Sequence, residues 1–260
     1  MLYSKEIYVT LLQELPSYNS WCMDKIIINN KDYTSLVSKA VRFFWGTKSR
    51  QLLDSGDSSN RGAVVGGKQM NGFIELLKEV AIDAGVPADY IITDKNYLPG
   101  YFRSSKDWDM LIIAPSGKLI AAIELKSQVG SYGNNFNNRT EEAIGSAVDL
   151  WTAFREGQFP GQQAPWVGWL MLVGRDKASE RIVRNYEPYF SVRPEFESAS
   201  YLDRYRILCQ KLILERHYTS TALVWTTDAN TYGNLADDIS IQRYIASLAN
   251  YLNGVKDEFK

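Results

Sequence analysis

Hydrophobic side chains recur three and four positions apart in five stretches of the chain, which is the spacing of an amphipathic helix. The five stretches are residues 33–54, 69–84, 138–157, 202–217 and 240–254. The third has the clearest ends, because Asn138 is a suitable N-cap, Glu141 follows in the capping-box position, and Gly157 is a natural stop. The pattern therefore predicts five helices.

Three other stretches have the pattern of β-strands. Residues 108–126 contain two apolar runs around a turn, residues 166–174 are almost entirely apolar, as in a central strand buried on both faces, and residues 219–226 form another such run. Strands that alternate with helices predict an α/β fold, with a mixed sheet and helices on its faces. Residues 31–260 are predicted to form a single domain, preceded by an arm or short helix over residues 1–30.

The hairpin places charged residues where a buried strand normally has none. We take residues 110–114 and 119–123 as antiparallel strands with a turn over Pro115–Lys118; for a loop of two or four residues, opposed residue numbers then sum to 233. Asp109 then lies opposite Glu124, and Lys126 lies on the same face as Glu124 because side chains alternate along a strand. The pattern predicts an Asp, a Glu and a Lys together at one end of the hairpin.

Two carboxylates this close repel each other unless a cation or a shared proton lies between them. Mg²⁺ binds one or two carboxylates together with water and phosphate oxygens, so Asp109 and Glu124 are predicted metal ligands and Mg²⁺ the predicted cofactor. Lys126 would hold or deprotonate the attacking water, or stabilise charge on a phosphate. This chemistry fits phosphodiester hydrolysis. The alternative at this point is a solvent-exposed hairpin end that carries unrelated charges.

The stretch SQVGSYGNNFNNR (127–139) directly follows the Glu-x-Lys strand, and residues 127–138 are predicted to be a loop that contacts DNA. Asn and Gln make bidentate contacts to adenine, Arg makes them to guanine, and Gly lets the backbone approach DNA closely. The candidate DNA contacts in this stretch are Gln128, Asn134, Asn135, Asn137, Asn138 and Arg139. The alternative is an ordinary long loop whose Asn residues form turns.

A second set of candidates precedes the hairpin. Lys68, Asn71 and Glu75 fall on one stripe of a predicted helix, so Glu75 is a candidate additional acid at the metal. The further candidate DNA contacts are Arg61, Lys68, Gln69, Asn71 and Arg103. A solvated surface is the alternative for each of these positions.

Composition excludes several other classes of function. The net charge is −1, so any DNA-binding surface must be local. Cys22 and Cys209 lie far apart, which predicts neither a disulfide framework nor a structural zinc site. His217 is the only histidine, which excludes mechanisms that need two. The stretch GAVVGGKQ (62–69) is not a P-loop, because Gln69 stands where a P-loop has Ser or Thr.

Asp109 and Glu124-Leu125-Lys126 have the form of the PD-(D/E)xK nuclease motif. The chain around them, from about residue 32 to 225, resembles the XhoI family of type II restriction endonucleases. The segments that carry the resemblance are GGKQMNGFIELL (66–77), LPGYFRSSKDWD (98–109), AAIELKSQVG (121–130), GNNFNNRTEEAIGSAVDLWTAFREG (133–157) and PEFESASYLDRYRILCQKLILERHY (194–218). These segments are long and uncommon, which makes the resemblance specific.

The resemblance implies a restriction-endonuclease-like fold and a Mg²⁺-dependent enzyme that cuts double-stranded DNA at a palindrome, CTCGAG in the best-known members. Carried over by position, Asp109 and Glu124 are metal ligands and Lys126 positions the water. Asp107 is a weaker alternative for the first carboxylate, because it pairs with Lys126 in the same register. Leu125 departs from the small residue usual in the middle of this motif, which concerns packing on the opposite face of the strand.

A palindromic site further implies a homodimer with one active site for each strand. The resemblance also implies a DNA methyltransferase that acts on the same site without needing to bind this chain. A cytoplasmic location in a bacterium or archaeon is expected, since the sequence shows neither a convincing signal peptide nor a transmembrane run. Two other functions fit the same fold: a structure-specific repair or recombination nuclease, and a DNA-binding relic without catalysis.

Overall fold

The computed structural model describes residues 25–54 and 68–260. Within these residues, six strands form a mixed sheet in the order β10-β9-β8-β7-β6-β3. Its strands are β3 (Ile91–Ile92), β6 (Met110–Ile113), β7 (Leu119–Gln128), β8 (Trp166–Gly174), β9 (Ser220–Thr226) and β10 (Tyr232–Asn234). β7, β8 and β9 run parallel, and the other neighbours are antiparallel. Two small ribbons pair β1 (Ile27–Ile28) with β2 (Lys31–Asp32), and β4 (Tyr97–Leu98) with β5 (Lys106–Asp107).

Helices cover both faces of the sheet, as the alternation of elements predicted. They are α1 (Thr34–Asp54), α2 (Asn71–Asp83), α3 (Tyr132–Arg155), the short α4 (Lys177–Glu180), α5 (Tyr201–Leu214) and α6 (Ile241–Gly254). One apolar cluster joins α1, α2 and α6 to one face of the sheet, and a second joins α3 and α5 to the other. The α/β prediction, a restriction-endonuclease-like mixed sheet flanked by helices, is confirmed. None of the helices within the described ranges is long and apolar enough to cross a membrane.

The register of the β6–β7 hairpin is the predicted one, although the turn differs. Met110 pairs with Ile123 and Ile112 with Ala121, so the pairs sum to 233. The turn itself is shorter than predicted, because Ala114 N–H donates to the Lys118 carbonyl and three residues lie between them. Gly117 has φ +83, as the last position of such a loop requires. A shift of register between Ile112 and Ile113 adds the missing residue as a bulge. The bulge therefore restores the alignment that a three-residue loop alone would have broken.

The predicted loop over residues 127–138 is wrong for most of its length. β7 continues to Gln128, and α3 begins at Tyr132, six residues before the predicted N-cap Asn138. Two aromatic side chains stabilise the first turns of α3. The Tyr132 hydroxyl donates to Asp176 Oδ2 at 2.8 Å, and the centre of the Phe136 ring lies 5.1 Å from that of Tyr205. Tertiary contacts outweigh the weak helix propensity of the Gly and Asn residues.

Several predictions fall outside the described residues. They are most of the N-terminal arm (residues 1–24), Arg61, and all but the last two residues of the Gly-Lys stretch (62–69). Residues 25–30 of the predicted arm are described. They contribute the buried Ile26 to the core and Ile27–Ile28 to a small ribbon.

Candidate active site

The hairpin brings three of the predicted catalytic side chains together. Residues 121, 123 and 125 of β7 lie in the apolar cluster of α1, α2 and α6, and Ala122 lies in that of α3 and α5. Because side chains alternate, Glu124 and Lys126 face the α3 and α5 side, and Leu125 packs on the opposite face. The Asp109 carboxylate crosses between the strands, where its Oδ2 accepts a hydrogen bond from Leu125 N–H at 2.7 Å.

Glu124 is a buried carboxylate that binds two lysines. Its side chain is 5% exposed, and Lys106 Nζ donates to its Oε2 at 2.6 Å while Lys126 Nζ donates to its Oε1. The Lys106 side chain is itself only 12% exposed, and its ammonium lies 4.6 Å from the centre of the Trp108 ring. Sequence reasoning missed Lys106, since this residue stands on β5 outside the motif and reaches Glu124 only through the fold.

Asp109 has a perturbed acidity. Burial, and next the charge of Glu124, raise the pKa of Asp109 from 3.8 to about 6, although the Leu125 N–H and the two lysines act in the opposite direction. A carboxylate that is buried beside a second carboxylate gains strongly from a cation that contacts both. Asp109 and Glu124 therefore have the charge that a divalent-ion site requires.

Lys126 is held in its charged form. Burial alone would lower the pKa of Lys126, but the neighbouring Glu124 carboxylate, the hydrogen bond to it, and Asp109 together raise this pKa above its usual value. Of the three roles that the sequence allowed, this electrostatic setting favours the two in which a charged ammonium holds the water or faces a phosphate over the one in which a neutral amine takes up a proton.

The donor set fits Mg²⁺. No group of three or more acidic, His or Cys side chains able to hold a metal exists within the described residues. Mg²⁺ does not need one, because it usually takes one or two carboxylates and completes its shell with water and phosphate oxygens. Asp109 and Glu124 supply that number of carboxylates, and burial together with the charge of Glu124 raises the pKa of Asp109 to about 6, so a bound cation would favour its ionised form.

Two other predicted acids lie apart from this cluster. Glu75, on α2, pairs with Lys78 at 2.9 Å and its side chain is 69% exposed. Among the described residues, no contact joins it to Asp109 or Glu124. Asp107 is exposed and pairs with Tyr97 in the β4–β5 ribbon rather than opposite Lys126. The structure therefore favours Asp109 over Asp107 as the first carboxylate.

The start of α3 displays most of the predicted DNA contacts on a helix instead of a loop. Asn134, Asn137 and Asn138 are exposed, whereas Asn135 donates from its side chain to the Ser131 carbonyl at 3.0 Å. Arg139 pairs with Glu142 at 2.6 Å. The remaining candidate, Gln128, is buried, and its amide donates to the Gly130 carbonyl at 2.6 Å. Three asparagines on one helix end thus remain available to a ligand.

The remaining candidates lie on the α2 and β4–β5 sides of the domain. Lys68 and Asn71 are exposed at the start of α2, and Gln69 between them is partly exposed. Arg103 is 44% exposed and binds Asp149 through its Nε at 2.7 Å. Asp149 was not predicted from the sequence. Its position among the buried residues of α3 could have indicated a role, because a buried acid needs a partner.

Comparison with known proteins places these residues in a family context. The family model described as restriction endonuclease XhoI matches residues 50–237. The type II restriction enzyme BstVI of Geobacillus stearothermophilus is 44% identical over 206 residues, which cover 75% of this chain and 92% of that protein. The type II restriction enzyme XhoI of Xanthomonas vasicola is 46% identical over 191 residues, with 71% and 77% covered. AbrI of Azospirillum brasilense, also a type II restriction enzyme, is 43% identical over 166 residues, with 61% and 74% covered. No solved structure matches the chain.

Proposed function

Because the chain belongs to the XhoI restriction endonuclease family, we propose that it is a type II restriction endonuclease that hydrolyses double-stranded DNA at a short CTCGAG-like palindrome. The observation that carries the proposal is the assembly of Asp109, Glu124 and Lys126 on one face of the hairpin. A DNA-binding relic would have no need to bury two carboxylates against each other at the cost of a raised pKa.

We assign each charged side chain of the cluster a separate task. Asp109 and Glu124 hold Mg²⁺, which when bound supplies Lewis acidity and an acidified water as nucleophile. Lys126 donates a hydrogen bond to the attacking water or to a phosphate oxygen, and its charge offsets the negative charge that develops on the phosphate. Lys106 neutralises the second oxygen of Glu124 and holds it in place while the site is free of metal.

The substrate side of the proposal rests on surface chemistry. Asn134, Asn137 and Asn138 are exposed at the start of α3, which directly follows the catalytic strand, and amide side chains of this kind read adenine edges in the major groove. A palindrome is matched by a two-fold symmetric pair of chains, so a homodimer with one site for each DNA strand is part of the proposal.

Digestion of a DNA of known sequence tests the proposal directly. The purified protein with Mg²⁺ should produce discrete fragments whose mapped ends share one palindrome, and EDTA should stop the reaction. Asp109→Ala, Glu124→Ala and Lys126→Ala should each lower the cleavage rate at least ~100-fold. Glu258→Ala is the control, since Glu258 pairs with Lys118 at a surface. A smear of fragments, or cleavage only at forks and nicks, would show a nuclease that reads structure instead of sequence.

A further inference from the structure

The seven residues between β4 and β5 form an exposed loop that the cleavage chemistry does not use. At its tip the Tyr101 side chain is 53% exposed and the Phe102 side chain 70%, and their rings contact each other edge to face with centroids 5.0 Å apart. Large apolar side chains that are displayed together on a surface mark an interaction site more often than chance. The pair lies on a segment with a defined shape, as the next contacts show.

A buried carboxylate fixes the loop in this shape. Asp149 on α3 is 4% exposed, and its Oδ1 accepts hydrogen bonds from the backbone N–H groups of Tyr101 at 2.9 Å and Phe102 at 2.7 Å, while Oδ2 accepts from Arg103 Nε. Gly100 passes so close that a Cβ there would lie 2.3 Å from Asp149 Oδ2. Burial would raise the pKa of Asp149, but Arg103 and the two N–H groups outweigh it and lower this pKa. The carboxylate therefore remains charged and holds the loop at neutral pH.

The loop is continuous with the cleavage site. Lys106, which binds Glu124 at 2.6 Å, is four residues after Phe102. An extended chain spans about 3.3–3.6 Å per residue, so the two Cα atoms lie at most about 14 Å apart. Burial raises the pKa of Tyr218, and the charges of Glu124 and Arg103 also act on it, so both lie within electrostatic range of this one side chain. A DNA strand with its phosphate at Glu124 would consequently pass beside the loop.

The charge of the loop suits the same ligand. The loop and the first residue of β5, residues 99–106, contain two cations, Arg103 and Lys106, and no acidic residue. Of the N–H groups of Arg103, only Nε is committed to Asp149, and 44% of its side chain is exposed. Aromatic side chains next to a cation are the pattern of a surface that packs on bases and sugars while it neutralises a phosphate.

We propose that Tyr101 and Phe102 pack against the DNA beside the scissile phosphate, that Arg103 contacts a neighbouring phosphate, and that Asp149 is the residue that positions all three. The proposal rests on the endonuclease function proposed above and adds a contact surface to it. Asp149 acts only through the loop, so it is a positioning residue.

Duplex binding by the full chain in EDTA, which keeps the DNA intact, tests the proposal. Tyr101→Ala/Phe102→Ala should weaken binding at least ~10-fold, since both rings lose the apolar area that they bury against the DNA, and Phe102→Ala alone should weaken it less. Neither variant should change the slope of log affinity against log salt concentration. Arg103→Gln should reduce the magnitude of that slope by about 1, which corresponds to one lost phosphate contact. Ile82→Ala, which removes a 44% exposed apolar side chain on α2, is the control.

Three further measurements separate the possible results. The thermal midpoints of Phe102→Ala and of Tyr101→Ala/Phe102→Ala should match that of the unmodified protein, because the removed rings are mostly exposed. Unchanged duplex affinity and unchanged cleavage in the double variant would overturn the proposal. A drop in molecular mass by sedimentation would overturn it as well, because the rings would then belong to an interface between two chains. If the unmodified protein did not cleave DNA with Mg²⁺, the proposed function would fail instead, independently of the loop variants.

Discussion

Replacement of Asp109 by Asn should make the metal-free protein more stable at neutral pH, although the carboxylate that accepts the Leu125 N–H is lost. Asn keeps an oxygen that can accept the Leu125 N–H, so the main change is the loss of a titrating group. In the folded protein the pKa of Asp109 is raised from 3.8 to about 6 by burial and by Glu124. A folded-state carboxyl with a raised pKa binds more protons than its unfolded counterpart between these two values, so stability falls as pH rises through that window.

The size of the effect follows from the shift. About two pKa units at 1.36 kcal/mol each correspond to a loss of about 3 kcal/mol at pH well above 6, of which about 2 kcal/mol falls between pH 4.5 and 7.5. Urea unfolding in EDTA, followed by tryptophan fluorescence, gives the free energy of unfolding at both pH values. The advantage of Asp109→Asn over the unmodified protein should grow by about 2 kcal/mol from the lower pH to the higher.

Two controls make this result decisive. Asp107→Asn removes a carboxyl from the exposed side chain two residues away, and an equal gain there would trace the effect to overall charge instead of the site. Added Mg²⁺ should stabilise the unmodified protein at pH 7.5 and leave Asp109→Asn almost unaffected, because a cation between the carboxylates favours the ionised form. If the unfolding free energies of Asp109→Asn and the unmodified protein differed by the same amount at both pH values, the burial of Asp109 beside Glu124 would be refuted.

Four more variants probe the site, the sheet and α3. Lys106→Met should bind Mg²⁺ at least ~10-fold more tightly, because it removes a cation beside the metal ligands; titration by thermal shift measures this, with Lys118→Met at a surface pair as control. Gly168→Ala should cost roughly 1–3 kcal/mol of unfolding free energy, because the new Cβ would lie 2.3 Å from the Trp166 ring. Gly145→Ala, with no atom within 4 Å, should instead raise the thermal midpoint. Asn138→Ala should raise helix stability by about 0.5 kcal/mol and yet weaken duplex binding, and equal binding would remove this residue from the DNA surface.

The hairpin was predictable from sequence because its information is local. Pairing register depends on a short turn and on a face that must be buried, so a shift by one residue would turn Ile123 and Leu125 to the wrong side. The turn length itself was not predictable. A three-residue loop with a compensating bulge gives the same alignment at Asp109 as a four-residue loop without one.

Long-range contacts account for what the sequence did not reveal. The sequence predicts a loop for the first turns of α3 because Gly133 and its Asn neighbours are weak helix formers. Contacts of Tyr132 and Phe136 with residues 44 and 69 positions later stabilise the helix there. The roles of Lys106 and Asp149 were missed for the same reason. Their partners lie 18 and 46 to 48 residues away, and no spacing rule connects them.

At the site that we propose, charge balance would link metal binding to DNA binding. Asp109, Glu124, Lys106 and Lys126 carry two negative and two positive charges, so the cluster is neutral before any ligand arrives. A divalent ion alone would leave an excess of two positive charges in a partly buried place, which is costly. DNA phosphates bring negative charge to the same place and give both lysines a second anion to bind. Each ligand thus lowers the electrostatic cost of the other, and linkage requires that Mg²⁺ and DNA strengthen each other's binding by the same factor.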